Sequence, residues 1–265
     1  MCRFFGYKGN PVRIADLLIK SDNSLIVQSI DAKESIKPVN GDGFGLGWYP
    51  EHNDPEPGVF TSIEPAWSNR NLRRLSEKLV SHCFFAHVRD ATIGMPVTEL
   101  NCHPFRYGNY LWMHNGMIDS FKLIRRYLMR DLSDEAFNLI EGNTDSEFSF
   151  AYFMNQIGLQ KGLSGEDLAA NMIEMVEKLR SALSHLEING PSMLNFALTD
   201  GENVILTRAT ATADREAPTL YYSKINEAVV FASEPLTKVR QDWEKLPTNS
   251  VLTIDKENRL EILQI

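Results

Sequence analysis

Cys2 and the chain's own first amine would make a nucleophile with a built-in base, because an initiator methionine is normally removed when the second residue is as small as cysteine. A free α-amine has a pKa of about 8, close to the thiol's value of about 8.5, so it can take the thiol proton near neutrality. Arg3 follows, on the opposite face of any strand that begins here. His114-Asn115-Gly116 ends a short aromatic run. There a side-chain amide and a glycine N–H can converge on one oxygen as an oxyanion hole, although Asn-Gly also simply closes hairpins. Arg89 leaves an apolar run for a loop of small residues, a place suited to a bidentate grip on a carboxylate or to a surface ion pair. Asp145 stands in Thr144-Asp145-Ser146-Glu147, which has capping-box spacing. It serves a helix N-terminus or pairs with a substrate ammonium, and neither role excludes the other. With Arg89 it would clamp both ends of an α-amino acid. His103, before Pro104, either orients a neighbour or is a structural loop histidine.

A metal is not expected. His82, Cys83, His87, Cys102 and His103 lie close in sequence, yet there is no paired Cys-x-x-Cys, and residues five apart on a strand face opposite sides. The thiol and amine chemistry needs no cofactor.

These residues must be held by short elements. Residues 2–8 read as a strand that ends at Gly9 and Pro11, 12–19 have helical spacing, and 29–39 form a polar connection. The run from Asn40 to Pro50 reads as a turn feeding a strand. Its glycines fall at every second position and no helix with Lys-Ser/Thr follows, so small residues on one strand face, open to close approach, are expected rather than a phosphate loop. The pattern predicts a helix over 71–80, a buried strand over 83–88 that delivers Arg89 into the loop 90–104, and a strand over 110–114. Helical spacing covers 121–139, a further helix opens at 143–147 and runs to about 156, and an amphipathic one covers 165–186. After Pro191 the chain reads as strands at 193–198, 204–208, 219–223, 228–232, 251–255 and 260–265. With no linker or repeat, one α+β domain over 1–265 is expected.

Composition excludes several classes. The net charge is -8 and the Lys and Arg residues are scattered, which offers nothing to a phosphate backbone, so nucleic acid is not expected as a partner. No apolar run reaches the roughly 20 residues that span a bilayer, and a secretory pattern is missing at the start, so a cytoplasmic, membrane-free protein is expected. Three cysteines leave at least one free thiol, in keeping with a reducing compartment.

Taken in order, Met1-Cys2-Arg3, Ala86-His87-Val88-Arg89-Asp90-Ala91-Thr92, Asn101-Cys102-His103-Pro104-Phe105, His114-Asn115-Gly116 and Thr144-Asp145-Ser146-Glu147 resemble the motifs of the class II, N-terminal nucleophile, glutamine amidotransferases. The resemblance covers most of residues 2–150. It implies Cys2 as nucleophile with its amine as base, Asn115 and Gly116 at the oxyanion, Arg89 and Asp145 on the substrate's carboxylate and amine, and Thr92, His103 and His114 in the substrate pocket. The implied fold is a four-layer αββα sandwich with two antiparallel sheets between helical layers. Members that make amino sugars or purine precursors usually carry an Arg-Gly pair in the loop corresponding to Val39-Asn40 and an aromatic residue in place of Asp90, and this chain has neither. Its Asn40-x-Asp42-Gly43-Phe44 loop looks more like a smaller standalone branch, which includes an ergothioneine-pathway γ-glutamyl hydrolase and a fungal subunit of a glutathione-degrading complex. The expected substrate is therefore glutamine or a γ-glutamyl compound, with ammonia passing to a separate acceptor or the product to a peptidase subunit. The alternative from another class is a non-catalytic glutamine-binding or regulatory subunit.

Overall fold

Alternation of apolar residues organises the first strand. In β1 (Arg3–Arg13), Phe4 faces one core while Phe5 and Tyr7 face another. The computed structural model describes residues 1–51, 54–92, 94–212 and 215–265. After β1 come helices α1 (Ile14–Leu18) and α2 (Leu25–Asp31), strands β2 (Phe44–Trp48) and β3 (Gly58–Ser62), helix α3 (Arg70–Ser76) and strand β4 (Val80–Val88). Strands β5 (Phe105–Tyr107) and β6 (Tyr110–His114) precede four helices, α4 (Phe121–Leu128), α5 (Asp134–Phe137), α6 (Asp145–Gln156) and α7 (Gly165–His185). The chain closes with β7 (Phe196–Thr199), β8 (Val204–Arg208), β9 (Tyr221–Ile225), β10 (Ala228–Ala232), β11 (Glu244–Lys245), β12 (Ser250–Ile254) and β13 (Leu260–Gln264).

Two sheets result, a seven-stranded one in the order β11-β9-β10-β1-β4-β2-β3 and a six-stranded one in the order β13-β12-β8-β7-β6-β5. Neighbours run antiparallel throughout, as in the central pairs β1 with β4 and β6 with β7. Three cores separate four layers. Phe5, Phe84 and Leu46 pack with Ile14, Leu18, Leu25 and Leu72 of α1 to α3. Phe4, Phe85, Leu111, Leu206, Phe231 and Leu252 fill the space between the sheets. Trp112, Phe196 and Ile205 pack outward against Ile124, Phe153 and Met175 of α4, α6 and α7.

Several boundaries move. The first strand continues through Gly9 and Pro11, where the pairing with β4 shifts register between Lys8 and Val12; a proline without an N–H fits such an irregularity. Residues 12 and 13 thus pair with β4, which shortens the expected helix. The polar connection over 29–39 begins inside α2, because Ser24 Oγ accepts from Val27 N and starts a helix upstream. The helix expected over 121–139 breaks after Leu128 and restarts at Asp134, capped by Ser133 Oγ accepting from Ala136 N. The strand expected over 193–198 begins at Phe196, with Met193 in isolated bridges to Met117 and Thr210. Strands β3 and β5, unforeseen, extend the edges of the two sheets.

The every-second glycines of β2 act as expected. A Cβ at Gly45 would overlap the carbonyl of His103, and one at Gly47 would lie 2.7 Å from Pro104 Cγ. The 103–104 segment therefore lies flat against β2.

Candidate active site

Strand register gathers the motifs at one end of the sheets. Arg3 pairs with Val88, which places Cys2 beside Arg89 and Asp90 just beyond the end of β4. Asp90 N donates to Cys2 Sγ at 3.4 Å, and the thiol points back at Asp90 O at 3.6 Å. Burial pushes the Cys2 thiol above its ordinary value, while the Asp90 N–H, the terminal ammonium and Arg89 pull it down. The Asp90 carboxylate, meanwhile, accepts from the Met1 ammonium at 2.7 Å and from Lys37 Nζ at 3.2 Å. The loop before β2 braces this turn, with Asp42 N donating to Arg89 O at 3.0 Å, Arg89 N to Gly43 O at 2.8 Å and Ala91 N to Asp42 Oδ2 at 2.8 Å. Asn40 in the same loop is fully buried, and neither atom of its amide has a partner among the described residues.

Asn115 comes from the other sheet. It follows β6, and its Nδ2 donates to Ser233 Oγ at 3.3 Å. The same hydroxyl accepts from Phe4 N at 3.0 Å, and Ser233 N donates to Phe4 O at 2.9 Å. Asn115 is thus tied across the sheets to a residue two places from Cys2, with a second amide N–H left to donate. Gly116 admits no side chain, since a Cβ there would overlap the carbonyl of Met193 and the ring of His114.

The Arg89 fork, 4% exposed, donates from Nη1 and Nη2 to Pro96 O at 3.3 Å each. Asn101 Nδ2 joins on that carbonyl at 3.0 Å, and Asn101 Oδ1 accepts from Asn143 N at 3.2 Å. This chain of bonds leads from Arg89 to the start of α6, where Asp145 sits. Asp145 Oδ2 accepts from Ile118 N at 2.7 Å and Oδ1 from Ser146 N at 2.9 Å, so the carboxylate fastens the segment following Gly116 to the helix. A carboxylate accepts about four hydrogen bonds, which leaves room for an ammonium. The capping box is half made. Thr144 Oγ1 accepts from Glu147 N at 3.2 Å, while Glu147 turns to the N–H groups of Glu141 and Gly142 at 2.9 and 2.8 Å.

The histidines back the site. His114 has both nitrogens engaged, Nε2 with Met193 O and Nδ1 with Ser146 Oγ, each at 2.9 Å. Burial lowers its pKa against the pull of Asp145. Expected in the pocket by resemblance, it lies beside Gly116 with both nitrogens partnered. His103 is buried and stacks on His87 with ring centroids 4.1 Å apart, and neither of its nitrogens has a partner among the described residues. Burial drives His103 well below the usual histidine range and His87 to about 3, so both rings are neutral. Thr92 lies exposed on the loop, its carbonyl accepting from Met95 N at 2.9 Å. Among the described residues no three His, Cys, Asp or Glu side chains converge as metal ligands. Two clefts, of about 1080 and 500 Å³, open at the start of α7 and beside Tyr49; neither is lined by Cys2, Arg89, Asn115 or Asp145.

The model of the family "Glutamine amidotransferases class-II" matches residues 19–219. The chain belongs to the class II glutamine amidotransferases. As such it is an enzyme of this class, and its αββα sandwich is the N-terminal nucleophile fold of the amidotransferases. It is 38% identical to "Probable glutamine amidotransferase DUG3" of Saccharomyces cerevisiae, over 98% of this chain and 83% of that one. It is 33% identical to the gamma-glutamyl-hercynylcysteine sulfoxide hydrolase of Mycobacterium tuberculosis, over 45% of this chain and 50% of that one. A solved glutamine aminotransferase class-II domain protein from Silicibacter pomeroyi superposes with a TM-score of 0.72 at 26% identity, covering 99% of this chain and 98% of that one. Beside the candidate site of this class II amidotransferase, sequence reasoning did not single out Ser233 and Glu234. The signal for both was a polar Ser-Glu-Pro at the end of an apolar strand.

Proposed function

We propose that this chain hydrolyses the γ-amide of glutamine or the γ-glutamyl bond of a related compound, with Cys2 as nucleophile after loss of Met1. The Cys2 amine takes the thiol proton and sulfur attacks the γ-carbonyl. The negative oxygen that develops is held by Asn115 Nδ2 and Gly116 N. The C–N bond breaks, the leaving nitrogen takes the proton from the amine, and a γ-glutamyl thioester remains. Water, deprotonated by the same amine, opens the thioester and releases glutamate. Arg89 and Asp145 hold the substrate's carboxylate and ammonium, with Thr92 at the pocket edge. Ammonia or the released amine passes to a separate acceptor or peptidase subunit, in a cytoplasmic setting that three free thiols suit; no helix among the described residues is long and apolar enough to cross a membrane.

The observation that carries this reading is the hydrogen-bonded path from Asn115 through Ser233 to Phe4, which brings an amide donor of one sheet to the end of the other where Cys2 lies. Glutamate release is the test, measured on protein whose intact mass shows a free Cys2 amine, with glutamine and a γ-glutamyl peptide side by side and Cys2→Ala as blank. Release from either substrate that vanishes in the blank is expected. A free-amine protein that releases glutamate from neither would remove the hydrolytic reading.

A further inference from the structure

A chain's first residue is where order is usually poorest, yet a nucleophile must stand within about 0.5 Å of its productive place. Loss of Met1 removes its bonds to Asp90 and Ser35. Two anchors of Cys2 remain, the thiol against the Asp90 backbone and the Cys2 carbonyl, which accepts from Arg3 Nε at 2.6 Å. Arg3 is fully buried on the helix-facing side of β1, and its Nη1 stands 3.6 Å from Glu234 Oε1, a residue 1% exposed.

Glu234 does more than balance this charge. Its two oxygens accept from Lys33 N at 3.0 Å and Glu34 N at 2.9 Å, while Arg3 Nη1 donates to Glu34 O at 3.4 Å. The segment pinned in this way carries Ser35 to Met1 and Lys37 to the Asp90 carboxylate. A ring of contacts therefore closes, from the Cys2 carbonyl through Arg3, Glu234, residues 33–37 and Asp90 back to the Cys2 sulfur.

We propose that Arg3 and Glu234 are positioning residues for the nucleophile: their buried pair fixes the peptide plane after Cys2 and the segment over it, and so sets where thiol and amine stand. The proposal rests on Cys2 being the reactive residue. Stability alone accounts poorly for the pair, because a buried ion pair generally gains little over apolar residues of similar size. What it supplies is direction. The guanidinium is a rigid fork, and each of its bonds here ends on backbone next to the site or on the carboxylate that orders it.

Two variants test this, Arg3→Met combined with Glu234→Met, which removes both charges together, and Arg3→Lys, which keeps the charge but not the fork. Near-ultraviolet circular dichroism and melting curves establish that each is folded. The readouts are the rate of Cys2 alkylation by iodoacetamide from pH 6 to 9, located by peptide mass spectrometry, and kcat and KM for a γ-glutamyl substrate. Alkylation and kcat are expected to fall about tenfold to a hundredfold, the scale of a displacement of roughly 1 Å, with KM changed by less than about threefold. Values within twofold of the parent in a folded variant overturn the proposal. If the double variant does not fold, Arg3→Lys decides. Should the parent protein turn over no substrate, the hydrolytic reading fails while the alkylation rates still judge the positioning.

Discussion

Cys2 just before β1 and Cys83 in the middle of β4 share the inner side of the seven-stranded sheet, and burial pushes both thiols up. Cys83 reaches about 12; its neighbours are Thr199 Oγ1 at 3.5 Å and, further off, the Lys8 ammonium. Cys2 instead has a backbone N–H on its sulfur, the chain's terminal amine on the residue before it, and Arg89 beside it. Burial is common to both thiols, so it cannot be what makes one reactive. On the proposed mechanism, a base within reach and an oxyanion donor opposite are the difference.

The largest expected effect tests that contrast directly. Cys2→Ala should lower glutamate release by about 10⁴-fold or more, whereas Cys83→Ala should stay within about twofold and lose a few degrees of melting temperature, as small core truncations do. Comparable losses of turnover in both folded variants would erase the distinction. Next, Asn115→Ala should reduce kcat by about 10² to 10³-fold with little change in KM, the usual result of deleting one oxyanion donor, as steady-state kinetics would read. Arg89→Lys should raise KM for glutamine on the order of tenfold, since an ammonium cannot reproduce a bidentate grip. An unchanged KM would place the carboxylate elsewhere.

The smallest effect sharpens the burial side of the comparison. His87, His103 and His114 are all held neutral by burial. The unfolded chain takes up protons at these positions below about pH 6.5, and the folded chain resists to lower pH, to about 3 for His87, well below the usual range for His103 and below it for His114. Folding stability is therefore complete above pH 6.5 and falls as pH drops from there, by up to about 1.4 kcal/mol per pH unit for each such histidine. Melting curves from pH 8 to 5 should show this decline, and His103→Leu should make it shallower.

The candidate site residues were legible where local sequence signals are strong, at the ends of apolar strands, at an Asn-Gly pair and at a capping-box run. Cys2, Arg89, Asn115 and Asp145 are of that kind. The α+β class followed from the runs of patterned residues, and the four layers from the resemblance. What stayed hidden depends on distance in sequence. Ser233 meets Phe4 and Asn115 across separations of 229 and 118 residues, and Glu234 meets Lys33 across 201. Short edge strands such as β3 and β5 gain definition only from their partners, and the break after Leu128 is set by a cap at Ser133 that interrupts an otherwise continuous helical pattern.

Ser233 also imposes a schedule on the newborn protein. Phe4 N and Asn115 Nδ2 both donate to its hydroxyl, so the candidate site cannot assemble until that serine has left the ribosome, long after residues 1 and 2. At roughly 5–20 residues per second, the delay is on the order of 10 to 50 s. Throughout that interval the strand that follows Met1 lacks the Ser233 partner of Phe4. The expected order is therefore trimming of Met1 by an aminopeptidase first and assembly of the candidate site second.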